Sequence, residues 1–186
     1  MINIISKVSV VGLLLLALTQ SVNASSDHNG VFYITPKVVY TLGDNFVHNG
    51  HLLEGDPGYG IGIDFGYAFT KNYGIEFDTT YVEADVTGEH NHHRVKDKAE
   101  YTTYAINAVY IRNLTGHLNL ALKVGYEWEY EKIDHLEIKE TVDGVDYAVG
   151  IEYAIDEHME VDFEYEASTV KGTRGAAFFL GLKYLF

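Results

Sequence analysis

The side chains able to do chemistry in this chain are carboxylates, lysines and histidines. The densest histidine group is Glu89-His90-Asn91-His92-His93, with His48, His51 and His135 in other polar stretches. Neutral imidazoles ligate Zn²⁺, Cu²⁺ or Ni²⁺, so His90, His92 and His93 are the candidate metal ligands. Their spacing fixes no tetrahedral site, and a solvated polar loop explains them without a metal. The acids follow a rule. Asp64, Glu76, Glu127, Glu152, Glu160, Asp162, Glu164 and Glu166 each sit between apolar neighbours, Asp78 sits between Phe77 and Thr79 in the same phase, and Lys37, Lys123 and Lys183 sit between apolar neighbours too. Nucleophiles are scarce. There is no cysteine, the serines after residue 24 are Ser25, Ser26 and Ser168, and no histidine stands beside Ser168. His117-Leu118-Asn119 offers a base without a nucleophile. With no P-loop or dinucleotide motif either, neither an enzyme nor a cofactor is expected.

Composition narrows the class. The chain has 186 residues, which suits a single domain. Its 27 acids against 13 bases give a net charge of −14, which argues against binding nucleic acid. The absence of cysteine excludes a disulfide scaffold, and two prolines exclude a Pro-rich disordered chain. A mean hydropathy of −0.06 excludes a bundle of membrane helices. It does not exclude membrane strands, which alternate apolar with polar residues.

Residues 1–24 read as a secretory signal. Lys7 supplies the basic start, the mostly apolar run from Val8 to Leu18 is too short to span a bilayer, and Val22-Asn23-Ala24 sets small residues before a cut after Ala24. The folded domain is then expected over 25–186.

From Gly30 onward the period is two. Tyr59, Ile61, Ile63, Phe65, Tyr67 and Phe69 alternate with Gly60, Gly62, Asp64, Gly66 and Ala68. Met159, Val161, Phe163 and Tyr165 alternate with Glu160, Asp162, Glu164 and Glu166. Like patterns near 31–42, 73–81, 101–112, 118–130, 145–155 and 176–186 complete eight strands. Each has about the 9–11 residues that a tilted membrane strand needs. Short turns are expected at 70–72, 113–116 and 156–158, long polar loops at 43–57, 85–97 and 131–144, and a shorter loop at 170–174. That layout puts both termini on the short-turn side of an up-and-down barrel. Pro36 has no N–H for a ladder, so a bulge or an irregular first strand is expected there.

The orientation of the faces follows from volume. An eight-stranded barrel is just wide enough for modest side chains, and roughly forty large, uncharged residues of the apolar phase cannot fit inside it. They must face outward, and an uncharged apolar band is stable only in lipid. Tyr40, Tyr59, Tyr67, Tyr73, Tyr81, Tyr104, Trp128, Tyr147 and Tyr184 share that phase, many near strand ends where aromatic girdles form. The fold class is therefore all-β: an eight-stranded antiparallel up-and-down transmembrane barrel behind a cleavable signal peptide. The competing arrangement is a secreted β-sandwich with these residues as its core.

The last strand supports the same reading. Phe178, Leu180, Leu182, Tyr184 and Phe186 alternate to a terminal aromatic. This resembles the C-terminal signal of bacterial outer-membrane barrels, in which Tyr184 and Phe186 would be read by the assembly machinery. With Gly60-Ile61-Gly62-Ile63-Asp64-Phe65-Gly66-Tyr67 and Gly181-Leu182-Lys183-Tyr184-Leu185-Phe186, the chain resembles the small outer-membrane barrels typified by the OmpA transmembrane domain and OmpX. The resemblance implies the outer membrane of a Gram-negative cell, export through the Sec route, lipid and lipopolysaccharide as surroundings, and a monomer. Some eight-stranded barrels are lipid A-modifying hydrolases, but this chain lacks the His-x-Ser pair that resemblance would require.

Inside such a barrel the polar phase carries Lys37, Lys123 and Lys183 among Asp64, Glu76, Asp78, Glu152, Glu160, Asp162 and Glu164. These are expected to form an ion-pair network that fills the lumen, with Lys37 and Lys183 beside the acids of 159–166 and Lys123 near Glu152. The expected role is structural or interfacial: membrane integrity, or loop-mediated binding to host or surface ligands. A narrow, cation-preferring passage is the alternative.

Overall fold

The computed structural model describes residues 29–48, 50–90, 93–134 and 136–186. The expected signal at 1–24, and His92 and His135, lie outside the described residues. Ten strands follow in order: β1 (Val31–Thr41), β2 (Asn45–His48), β3 (His51–Gly55), β4 (Gly58–Ala68), β5 (Tyr73–His90), β6 (His93–Thr115), β7 (Leu118–Ile133), β8 (Ile138–Ala154), β9 (Met159–Ser168) and β10 (Ala177–Leu185).

Eight of them close a ring. β1 pairs with β4 and β10, each later strand pairs with its predecessor, and β5 pairs with β6, so the ladder returns on itself. All pairings are antiparallel. Closure leaves no free edge in the hydrocarbon layer, where an unpaired backbone group would be costly. Phe186 N–H donates to Phe32 O (3.0 Å) and Gly30 N–H to Ala68 O (2.9 Å), which fastens both ends of the described chain at the short-turn side.

Three sequence expectations need correction. The stretches expected as loops at 85–97 and 131–144 are mostly strand. β5 and β6 run 18 and 23 residues, about twice what a tilted membrane strand needs. Their pairing continues without a break from Tyr73↔Tyr110 to His90↔His93. Charge does not prevent this, because the extension lies in water. The third expected loop, 43–57, contains the β2–β3 hairpin, which joins the wall through Glu54↔Thr87 and Gly55↔Val86. Of the two forms expected at Pro36, a bulge or an irregular first strand, the structure has the second: there is no bulge, but the β1–β10 ladder is interrupted. β1 keeps one register against β10 from Ile34↔Tyr184 to Lys37↔Gly181, with Thr35 and Pro36 unpaired between them. On its other side Pro36 pairs in register with Ile63. The bulge lies instead between Asn113 and Thr115.

The faces divide by polarity as the volume argument requires. Phe32, Tyr59, Ile61, Phe65, Ile106, Val124, Phe163 and Leu182 are exposed on the outer wall. Aromatic rings meet at both rims: Phe32–Tyr67 at 4.5 Å and Tyr73–Tyr110 at 5.3 Å below, Tyr40–Tyr59 and Tyr165–Phe178 at 5.1 Å above. Beyond the upper rim, Tyr81, Thr102 and Tyr130 give way two residues on to Glu83, Glu100 and Lys132, which neighbour one another across β5, β6 and β7. That switch marks where lipid ends.

The interior is not uniformly polar. From the upper rim into the extension, Val39, Leu53, Val82, Val86, Tyr101, Ile133, Ile138 and Phe179 form a buried apolar cluster with Leu136 packed against it. Period-two reading had set all bulky residues outside. Above the bilayer the outer face meets water, so the inner face takes the apolar residues.

Candidate functional site

The lumen below that apolar cluster is filled with charge. β1, β4 and β5 meet at Lys37, whose ammonium lies 2.7 Å from Asp64 and also bonds Asp78. Glycine makes the reach possible: Lys37 faces Gly62 and Gly181 in the two ladders, so its stem lies across strands without side chains. Its ammonium also sits 4.2 Å above the Phe179 ring. Lys123 spans from β7 to Glu76 on β5 (2.6 Å) and Glu164 on β9 (2.7 Å). Tyr33 donates to the other oxygen of Glu76 at 2.9 Å. Lys183 bonds Glu152 and stands 4.6 Å from the Tyr33 ring.

The pairings differ from those expected along neighbouring strands. Lys37 turns to the acids of β4 and β5 rather than to those of β9. Lys183 passes β9 to reach β8, and Lys123 bonds Glu76 and Glu164 rather than Glu152. In a narrow barrel a side chain reaches strands two places away, as Lys123 and Lys183 do, so adjacency in the sheet alone does not decide the partner. Glu160 and Asp162 stand opposite Lys183 and Gly181 on β10 and are buried. Asp64, Glu76 and Asp78 bring a carboxylate oxygen each within 4.8 Å of one another, the spacing of a metal cage, but the Lys37 and Lys123 ammonium groups bond all three.

A second layer was not foreseen. The loop after β9 folds inward and buries Thr173 and Arg174. The Arg174 guanidinium bonds Glu129, takes both oxygens of Glu127 (2.7 and 2.8 Å), and lies 3.5 Å from Glu166. Thr173 Oγ1 donates to Glu131 at 2.6 Å and is hydrogen-bonded with the Tyr101 hydroxyl. The loop is tied down by Asp44 N–H to Thr173 O and Gly43 N–H to Arg174 O, both 3.0 Å. The sequence did hold a signal: three inward lysines could not balance the inward acids, and Arg174 is a base in the shortest outer loop.

Among the described residues, thirteen acids and four bases are buried. On the outside the ion pairs belong to the extension. Lys96 lies 2.9 Å from Asp56 and 3.1 Å from Asp85, and the hydrogen bonds it donates to both carboxylates push its pKa upward. Lys132 lies 2.9 Å from Asp134, whose hydrogen bond raises it likewise. Of the candidate metal ligands, His90 and His93 face each other as the last pair of the β5–β6 ladder. Tyr184 and Phe186 meet edge-on at 5.1 Å on the outer wall.

A closed antiparallel ring with a lipid-facing apolar band, two aromatic rims and a charged filling defines a transmembrane β-barrel. The chain belongs to the outer membrane protein beta-barrel domain family, whose model matches residues 10–186. It is a protein of the Gram-negative outer membrane. Among solved structures it is similar to OprG of Pseudomonas aeruginosa (TM-score 0.72, 12% identity, 88% of this chain and 99% of that one). It is also similar to Ail, the attachment invasion locus protein of Yersinia pestis (0.58, 14%, 85% and 99%). A third likeness is to Neisserial surface protein A (0.59, 15%, 83% and 97%). No curated protein matches it in sequence.

Proposed function

We propose that the protein is a monomeric, non-enzymatic barrel with a closed lumen, which reinforces the outer membrane and presents its extracellular extension as a binding surface. The observation that carries this reading is the Arg174 loop, folded into the lumen above the three lysine bridges. Together they set charged side chains across the lumen in successive layers below the apolar cluster. The absence of catalytic chemistry is supported by distance along the barrel: His117 lies in a periplasmic turn, Ser168 at the opposite end of β9. Ail has been crystallised with a heparin analogue, sucrose octasulfate. In the present chain, residues 43–57, 83–100 and 131–144 carry thirteen acids against five bases, so the extension suits neutral or basic surface ligands better than a polyanion. Planar-bilayer recording of the refolded barrel tests the closed lumen. The expected result is a silent bilayer; regular open-channel steps with wild-type protein would overturn it.

The narrow cation passage rests on one specific observation, the surplus of buried acids over bases. It predicts conductance with a reversal potential set by the cation gradient.

A further inference from the structure

A cavity of about 210 Å³ opens where the inward loop meets the 43–44 turn, with Asp44, Glu129, Ser168, Gly172 and Arg174 in its wall. It has room for about seven waters at ~30 Å³ each. Glu129 is buried. One of its oxygens accepts from Arg174; the other, Oε1, has no hydrogen-bond partner among the described residues. Gly172 leaves that oxygen uncapped, since a Cβ there would stand 3.1 Å from it. Arg174 cannot neutralise the site, because its guanidinium is shared among Glu127, Glu129 and Glu166. Behind it, Asp146 pairs in the ladder with the wall residue Ser168 and is buried with neither oxygen hydrogen-bonded to another of the described residues. At the mouth, Asp44 is exposed.

The cavity therefore has a buried unpartnered carboxylate oxygen at its base, a second carboxylate at its rim and one saturated base. An anion is excluded by this field and a cation is favoured. The carboxylates are spread rather than caged: among the described residues, only Asp64, Glu76 and Asp78 approach metal spacing. An ammonium on a short carbon stem suits such spread acceptors, with Ala167, Val170 and Ala176 lining the walls for the stem. The barrel already uses that chemistry internally, where the Lys123 ammonium bridges Glu76 and Glu164.

We propose that this mouth cavity binds a small organic cation, a primary alkylammonium such as a short linear diamine. The inference goes beyond the closed-lumen reading but rests on the same inward Arg174 loop; the two fail separately, because a conducting lumen shows in bilayer recording and an empty mouth cavity in the titration. Calorimetric titration of the folded barrel in detergent with 1,4-diaminobutane tests it. Saturable heat is expected, with no binding of the neutral butane-1,4-diol. Asp44→Asn and Gly172→Ala should each weaken binding at least tenfold. Glu157→Gln, which removes the same charge in a periplasmic turn, should leave it unchanged. Glu129→Gln should abolish binding; should that variant fail to fold, Asp44→Asn and Gly172→Ala carry the test. No saturable heat, equal heat from the diol, calcium binding in place of the diamine, or equal losses with Asp44→Asn and Glu157→Gln would overturn the proposal.

Discussion

The Lys123 ammonium lies 2.6 Å from Glu76 and joins β7 to β5 across the lumen, while its second contact, Glu164 at 2.7 Å, ties in β9. All three groups are buried. Removing one partner of a buried ion pair strands the other charge and typically costs about 3–5 kcal/mol, whereas an apolar replacement of the whole set is often neutral. Lys123→Met should therefore destabilise the barrel by about that amount. The triple change Lys123→Met, Glu76→Leu, Glu164→Leu should recover most of it. Urea unfolding in lipid vesicles reads both, and a single variant as stable as wild type would show that water already screens the triad.

The orientation of the two faces makes a separate prediction. Val124 is exposed on the outer wall, paired with Ala108 and Tyr147 in the middle of the apolar band. Arginine at mid-depth costs roughly 2–4 kcal/mol, falling toward 0–1 at the interface. Val124→Arg should show the larger loss, and Thr102→Arg, beside the Glu83 and Glu100 boundary, the smaller one. Equal losses at both depths, measured by the same unfolding, would contradict the placement of the band.

Gly66 and Tyr33 test the packing of the lower lumen. Both point inward, and a Cβ on Gly66 would overlap the Tyr33 ring, whose hydroxyl is held by Glu76 at 2.9 Å. Overpacking of this kind costs about 1–3 kcal/mol. Gly66→Ala should lose that much on its own. Combined with Tyr33→Ala it should lose far less than the sum, because the clash is gone; residues in contact couple in this way. Strict additivity would mean that Tyr33 is not seated over Gly66.

The barrel itself was legible in the sequence because alternation is a local signal that survives without knowledge of partners. Tyr59 to Phe69 and Met159 to Glu166 declare their faces by period alone. The height of the walls was hidden for a physical reason. Residues 85–97 are polar on one face because they stand in water, and polar alternation with charges reads as loop. The inner apolar cluster around Leu53, Val86 and Ile133 was hidden by the same switch, since above the lipid the apolar side changes from outer to inner. Within the site, the inward lysines and acids followed from phase. Their partners did not, because Lys37 has acids within reach on both sides and takes those of β4 and β5, while Lys183 bonds Glu152 past the nearer acids of β9. Arg174 is in no strand, so periodicity carried no information about it.

The end of the chain yields the last prediction. Leu185 N–H donates to His158 O at 2.7 Å, beside β9, and Phe186 N–H to Phe32 O at 3.0 Å, on β1, so the backbone of the final residues is held on both sides and the Phe186 bond helps to close the β1–β10 seam. The Phe186 side chain contributes little to that closure: it is 72% exposed and touches Tyr184 edge-on. If Tyr184 and Phe186 form the segment that the assembly machinery reads, side-chain recognition and barrel stability separate at Phe186. Phe186→Ala should refold in detergent with the same heat-modifiable gel mobility and unfold at nearly the same urea concentration as wild type. In cells it should reach the outer membrane at a several-fold lower level, with the remainder in the periplasm. Tyr184→Ala also loses contacts to Phe186 and to His158, whose rings lie 5.1 and 6.1 Å away, so it should lower both measures. Normal outer-membrane levels for Phe186→Ala would remove the recognition role and leave the terminal aromatic as a lipid-facing side chain.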